Sequence, residues 1–238
     1  MLVTHEKIDL GDYSHLRIDR SGYQQAFWER LLAEPGAAGR VLNVGCGPRP
    51  QPGEVELQRR AAQFDGVDPS PVVLDYPGLA QRWQGTLECA PVPENAYDLA
   101  WAYNVVEHVE RARPFFEKVK VLLKRGGVFW ALTPHGHHPF CNAVKLLQVL
   151  RLKQRIAERD EGINKIPSYY RLNTSSQIQR AIGDLGFASA RFYYLPCMQW
   201  NRAFPRALRF APRTYDYLLG ARIKRFMLLL AYRLEAAD

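Results

Sequence analysis

Hydrophobic and polar positions along the chain fall into two rhythms that take turns. Short apolar runs predict strands at Val41–Cys46, Gln63–Asp68, Thr86–Cys89, Asp98–Tyr103, Gly127–Thr133, Ala188–Leu195 and Lys224–Leu234. Longer amphipathic stretches separate them, and two carry clear end signals. "RPFFEKVKVLLKRGG" puts Pro114 in a first helical turn, Phe115, Val119 and Leu122 on one face, and Lys124 and Arg125 ahead of Gly126. "TSSQIQRAIGDLGF" has the Thr174/Gln177 spacing of a capping box, one stripe of Ile178, Ala181, Ile182 and Leu185, and Gly186 as a left-handed stop. Strands alternating with helices predict an α/β domain with its seven strands in one sheet. The run "FMLLLAY", Phe226 to Tyr232, is far short of the roughly 20 apolar residues that cross a bilayer, and predicts a buried last strand.

The pattern is one domain over residues 1–238, opened by a helical cap over 1–40 and interrupted by two long segments, 135–172 and 196–221. Insertions of that length at strand ends are the expected place for acceptor-binding loops or lids. Composition changes this little: 47% hydrophobic and 24% charged residues suit an ordinary globular chain. The start "MLVTHEKIDL" lacks a basic-then-apolar leader, so a cytoplasmic location is expected. The formal charge of +8 makes nucleic acid, an anionic lipid surface or an acidic substrate physically reasonable partners, and eight basic residues face three acidic ones from Asn201 onward. Cys46, Cys89, Cys141 and Cys197 are widely spaced, without the C-x-x-C pair of a structural zinc or redox site.

Chemistry concentrates in "VLNVGCGPRP", Val41 to Pro50. In open α/β sheets ligands bind beyond the carboxyl ends of the central strands, and Gly45 and Gly47 let the chain turn there and approach a ligand closely. Asp68 closes the next strand, where an acid can accept two hydrogen bonds from ribose hydroxyls. It also begins the Asp-Pro turn of "VDPSP", a purely structural alternative. The third-glycine place of a dinucleotide fingerprint is held by Pro50, flanked by Pro48 and Pro52, and there is no G-K-[ST] of a phosphate loop.

The pieces "VLNVGCG", "GVDPS", "PVPENAYD", "NVVEHV", "VLLKRGGVFWALTPH" and "YYRLNTSSQIQRAIGDLGF" follow one another over about Val41 to Phe187. In that order the chain resembles a class I S-adenosylmethionine-dependent methyltransferase, of the group whose fourth strand runs into Glu-His-Val. The resemblance implies a Rossmann-like, mostly parallel seven-stranded sheet, flanked by helices, in the order 3-2-1-4-5-7-6, and S-adenosylmethionine as cofactor. It further implies that Gly45, Cys46 and Gly47 lie against the cofactor's methionine and ribose parts, that Asp68 binds the ribose hydroxyls, that the backbone around Leu87 and Glu88 borders adenine, and that Tyr103 sits near the methionine. Asn43 stands where the family often has an acid, keeping hydrogen-bonding capacity to the cofactor's amino group but no charge. Thr86 stands where an Asp commonly precedes the adenine contact.

Methyl transfer asks the protein to position the acceptor and remove its proton. His108 is the first candidate base, because imidazole titrates near neutrality and this one follows the fourth strand; its neighbour Glu107 is the second. Both can instead cap or hold the loop. His135, His137 and His138 follow the fifth strand, where they can contact the acceptor, stand in solvent or, with a distant fourth ligand, hold zinc; no metal is expected. Tyr169, Tyr170 and Arg171 can border the acceptor cavity. "CNAVKLLQVLRLKQRIAER" reads as a basic amphipathic helix that can pack as a lid or lie on an anionic membrane. The expected activity is O-, N- or C-methylation of a small-molecule, lipid or saccharide-precursor acceptor. An RNA methyltransferase is the alternative that the positive charge allows, and a non-catalytic binding module the one that Asn43 and Thr86 allow. The N-P-P-Y signature of adenine N-methylation is absent after the fourth strand, where Tyr103-Asn104-Val105-Val106 stands.

Overall fold

The computed structural model describes residues 1–8, 20–150, 166–197, 207, 209–220 and 222–237. In chain order these form β1 (Leu2–Lys7), α1 (Arg20–Leu32), β2 (Arg40–Val44), α2 (Pro52–Arg60), β3 (Gln63–Asp68), β4 (Arg82–Gln84), β5 (Tyr97–Tyr103), α3 (Ala112–Leu122), β6 (Leu123–Pro134), α4 (Pro139–Val149), α5 (Ser175–Ile182), β7 (Phe187–Leu195), α6 (Phe210–Tyr215) and β8 (Leu229–Ala236). The strands make one eight-stranded sheet in the order β1-β7-β8-β6-β5-β2-β3-β4. Only β8 runs antiparallel, to both of its neighbours. Seven strands therefore stand in the expected order, with β8 as the inserted antiparallel strand, and an eighth is added at one edge.

Alternate side chains of the central strands go to opposite faces, as the two-residue period requires. Leu42, Ala100, Phe129 and Ala131 pack on one face with Phe115, Phe116 and Val119 of α3 and Ile178 and Ile182 of α5. Val41, Leu99, Trp101 and Trp130 pack on the other with Phe27, Trp28 and Leu31 of α1 and Leu57 of α2. Helices thus cover both faces, and each fully buried large side chain contributes about 1.5–3 kcal/mol from burial. At α5 Thr174 Oγ1 accepts from the Gln177 amide and Gly186 adopts a positive φ, as predicted, whereas α3 ends at Leu122, so that Lys124, Arg125 and Gly126 fall in β6 rather than at the helix end.

Three expected elements are corrected. The cap over 1–40 is not wholly helical, because Leu2–Lys7 pairs in parallel with β7 at the sheet edge. As a largely exposed, polar edge strand, it lacks the apolar run by which the others were read. The third strand is not Thr86–Cys89 but Arg82–Gln84, which pairs with β3 through Trp83 opposite Val67. Residues 86–90 instead form a turn in which Cys89 and Ala90 amides bond the Thr86 carbonyl, and the apolar signal at Leu87 comes from a side chain anchoring that turn in the core. The last strand begins at Leu229 rather than Lys224, since Lys224–Phe226 forms a single 3₁₀ turn, and it runs on to Ala236.

Candidate functional site

The carboxyl ends of β2, β3 and β5 lie side by side, and the chain leaves β2 at Gly45. Gly45 has φ +73° and Gly47 φ +63°, a region that costs an L residue roughly 1–2 kcal/mol. A Cβ on Gly45 would collide with the Val105 side chain, whereas one on Gly47 would meet nothing, so the Gly47 backbone faces open space. Asp68 ends β3 and is nearly buried; its Oδ2 accepts from the Gly47 amide at 2.9 Å and its Oδ1 from the Ser70 amide at 2.8 Å. The acid thereby ties the glycine loop to the end of the adjacent strand. Each carboxylate oxygen has a second lone pair, which leaves acceptor capacity for a diol.

Of the prolines after Gly47, Pro52 has a local reason. Gln51 must be extended because it precedes Pro52, and an extended residue is what an N-cap requires; Pro52 then supplies the first turn of α2. The Gln51 amide donates to Glu54 Oε2 at 3.0 Å, closing that turn. Glu54 is fully buried and also accepts from Asn43 Nδ2 at 2.8 Å and from the Tyr76 hydroxyl at 2.7 Å. Burial raises its pKa, opposed by these three donors. α2 therefore places a carboxylate beside Asn43. Its sequence signal was a Glu three residues after the helix N-cap. Cys46 is buried beside this pair, and desolvation with the nearby Asp68 and Glu54 pushes its thiol up to about 12, which leaves it protonated and unreactive.

A cavity of about 400 Å³ opens at this edge, within the roughly 300–1,000 Å³ of small-molecule sites. It is lined by Gly45, Val67 and Pro69, by Leu87, Glu88 and Cys89, and by Val105, His108 and Tyr169. His108 Nδ1 donates to the Pro167 carbonyl at 2.6 Å, so that in the neutral ring the basic lone pair is on Nε2. Glu107 is turned inward: its Oε2 accepts from Thr133 Oγ1 at 3.0 Å, and its carbonyl accepts the Tyr169 and Tyr170 amides. The 106–108 turn and the strap at 166–174 are thus bonded to each other. Asn43 and Tyr103 lie behind the cavity wall. Tyr103 stacks on Trp28, and its hydroxyl accepts from Gln24 Nε2 at 3.0 Å.

Residues 42–131 match the family model described as a methyltransferase domain. Over that stretch the chain is similar to a methyltransferase domain. No curated protein sequence matches it significantly. Among solved structures it is similar in fold to a geranyl diphosphate C-methyltransferase from Streptomyces coelicolor, with TM-score 0.59 and 15% identity over 100% of this chain and 88% of that one. It is similar also to a SAM-dependent methyltransferase from Archaeoglobus fulgidus, with TM-score 0.57 and 15% identity over 94% of this chain and 97% of that one. A phosphoethanolamine N-methyltransferase from Haemonchus contortus gives TM-score 0.58 and 14% identity, over 95% of this chain and 55% of that one.

The three histidines after β6 diverge. His138 is buried and caps α4, its Nδ1 accepting from the Phe140 amide, with Asp216 Oδ1 3.8 Å from Nε2. His135 is buried and donates from Nδ1 to the Met227 carbonyl at 3.1 Å. His137 is exposed. Among the described residues no three His, Cys, Asp or Glu side chains converge as metal ligands. His135 and His137 line a second cavity, apart from the one that holds His108. Tyr169 lines the first cavity with the Arg171 guanidinium over its ring at 5.8 Å, while Tyr170 turns into the core beneath Lys145. The basic amphipathic helix is described as far as Val149; its remainder, like much of 196–221, falls outside the described residues. Among the described residues no helix is long and apolar enough to cross a membrane.

Burial lowers the His135 pKa to about 4, with the Met227 carbonyl opposing and His137 and His138 adding to the shift. Between its ordinary value near 6.5 and 4 the unfolded chain takes up a proton that the native chain refuses, so stability falls as pH falls. From pH 7 to pH 5 this one residue is expected to remove about 2 kcal/mol. Chemical denaturation at the two pH values checks it: the pH slope should shrink by about that amount in His135→Asn, and an unchanged slope would refute the assignment.

Proposed function

We propose that this protein transfers a methyl group from S-adenosylmethionine to a small-molecule acceptor. The observation that carries the reading is the cavity at the strand ends, where the glycine turn, the Leu87–Cys89 turn and the His108 imidazole meet around one space. The family match and the fold support it. So do the titles of two neighbours, the Streptomyces enzyme solved with S-adenosyl-L-homocysteine and the Haemonchus enzyme with S-adenosyl-L-methionine. The open space beside Gly47 and the spare lone pairs of Asp68 fit the cofactor's ribose. Glu54, bonded to Asn43, places an acid beside position 43, which supports a working cofactor site over a non-catalytic module.

Each residue then has a task. Asp68 receives the ribose hydroxyls and holds the glycine loop through the Gly47 amide. Gly45, Cys46 and Gly47 offer backbone to the methionine and ribose parts, and the backbone at Leu87 and Glu88 borders adenine. Asn43 and Tyr103 act from behind, fixing α2 and α1 against the loop. When bound, the cofactor supplies a methyl group already activated by its sulfonium. His108 Nε2 takes the proton from the acceptor's oxygen, nitrogen or carbon, oriented by its Nδ1–H bond to Pro167. Glu107 is a positioning residue that holds the turn beneath it, and Tyr169 and Arg171 flank the acceptor's entry.

The test is calorimetric titration of the full chain with S-adenosylmethionine, followed by transfer of a labelled methyl group into a fractionated extract and identification of the product by mass. Micromolar binding and a labelled small molecule are expected. No binding at millimolar cofactor would end the reading, and label only in RNA would replace the acceptor class.

A further inference from the structure

The second cavity, about 370 Å³, opens at the same sheet edge where β1, β7 and β6 end and β8 begins. We infer that it is a binding site for a phosphoryl group, held between Lys224 and Arg225 on one side and Ser175 and His135 on the other. The site is independent of the methyltransferase reading.

Charge is the first argument. Lys224 and Arg225 line the cavity, and among the described residues no Asp or Glu does. Lys224 Nζ donates to the His5 carbonyl at 2.8 Å, and neither cation has a carboxylate partner among the described residues. A cavity walled by two uncompensated cations selects an anion, and an oxyanion offers each of them an acceptor.

A directed chain of hydrogen bonds is the second. His5 Nδ1 lies 3.1 Å from the Tyr194 hydroxyl, and Tyr194 donates to Ser175 Oγ at 3.2 Å. With Ser175 Oγ already accepting, its own hydrogen is left to donate onward. Ser175 is also the first residue of the eight-residue helix α5, whose amino end carries partial positive charge.

His135 supplies the third and most specific argument. It is 2% exposed, its Nδ1 is committed to the Met227 carbonyl, and its ring lines the cavity with Nε2 lacking a hydrogen-bond partner. A ring held so in the wall of a cavity has its second nitrogen, Nε2, left for a ligand group. With Nδ1 the donor, Nε2 is an acceptor and calls for a hydroxyl. Monoprotonated phosphate offers both kinds of group, oxygens for the cations and Ser175, and one P–OH for His135. Sulfate at neutral pH offers only oxygens.

The full-length chain is titrated at neutral pH with inorganic phosphate, glycerol 3-phosphate and sulfate, and the same titrations are run on Lys224→Gln/Arg225→Gln, two exposed positions outside the cofactor cavity. Saturable millimolar phosphate binding is expected, at least about tenfold weaker in the double variant and several-fold weaker for sulfate. S-adenosylmethionine affinity, measured in parallel, should be the same in both proteins, so that failure of one reading is visible without the other. Sedimentation with phosphatidic acid vesicles against phosphatidylcholine vesicles identifies the source: variant-sensitive binding to the former assigns a lipid headgroup, and phosphate binding without vesicle binding assigns a soluble ester. The absence of saturable binding, an affinity unchanged in the double variant, or sulfate binding as tight as phosphate would overturn the site.

Discussion

Asp68→Ala is expected to weaken S-adenosylmethionine binding by about 100-fold or more, because two hydrogen bonds to a charged acceptor contribute roughly 1.5–3 kcal/mol each. The loss has two sources. The ribose hydroxyls lose their acceptor, and the Gly47 amide, now 2.9 Å from Oδ2, is released together with the Ser70 amide. Asp68→Asn separates them, since it keeps one acceptor oxygen and the shape of the side chain; its affinity should fall between the two. Calorimetry measures the binding, and a melting curve of each variant without ligand measures what the loop alone loses. An Asp68→Ala protein that stays folded and binds within threefold of the parent would sink the ribose role.

His108→Ala should lower the rate of methyl transfer by about 10²–10⁴-fold, the usual contribution of a positioned general base. Cofactor affinity should change little, because His108 takes no part in the Asp68 bonds that hold the glycine loop. Single-turnover transfer to the identified acceptor is the measurement. A group that only holds the strap through Pro167 would leave the shape of the rate–pH profile intact, so the profile separates the two roles. An unchanged rate would refute the base, and a slowed rate with an unchanged profile would make His108 a positioning residue.

Several parts of this site were legible along the chain because their signals are local. A glycine turn after an apolar strand, an acid at the end of the next strand and a Glu-His after the fourth each depend on a few consecutive residues. All of these lie at the carboxyl edge of the sheet, with Gly45 and His108 in one cavity wall and Asp68 tied to the loop. Glu54 was overlooked because its partners, Asn43 and Tyr76, are distant in sequence and meet it only when α2 packs beside β2. Of the prolines after Gly47, Pro52 makes sense once α2 is seen to start there.

The three histidines teach the opposite lesson. The sequence left acceptor contact, solvent exposure and zinc open for all three, and in the structure one caps a helix, one bonds a carbonyl in the core and one is exposed. A turn rotates successive side chains apart, so adjacency along a loop says little about convergence. The edge strands were misread for a related reason: β1 and β4 are short and largely exposed, and only pairing to a neighbour distinguishes them from loop.

By itself the sequence determined the layered α/β architecture, the order of the seven core strands through the family resemblance, and the loop where a nucleoside ligand would bind. These follow from periodicity and turn chemistry, which act over a few residues. Only the tertiary structure decided which acid accompanies Asn43, that His108 and not His135 faces the cavity of the glycine loop, and that Lys224, Arg225, Ser175 and His135 enclose a second one. Those pairings join residues far apart in the chain, and packing both faces of one sheet is what brings them together.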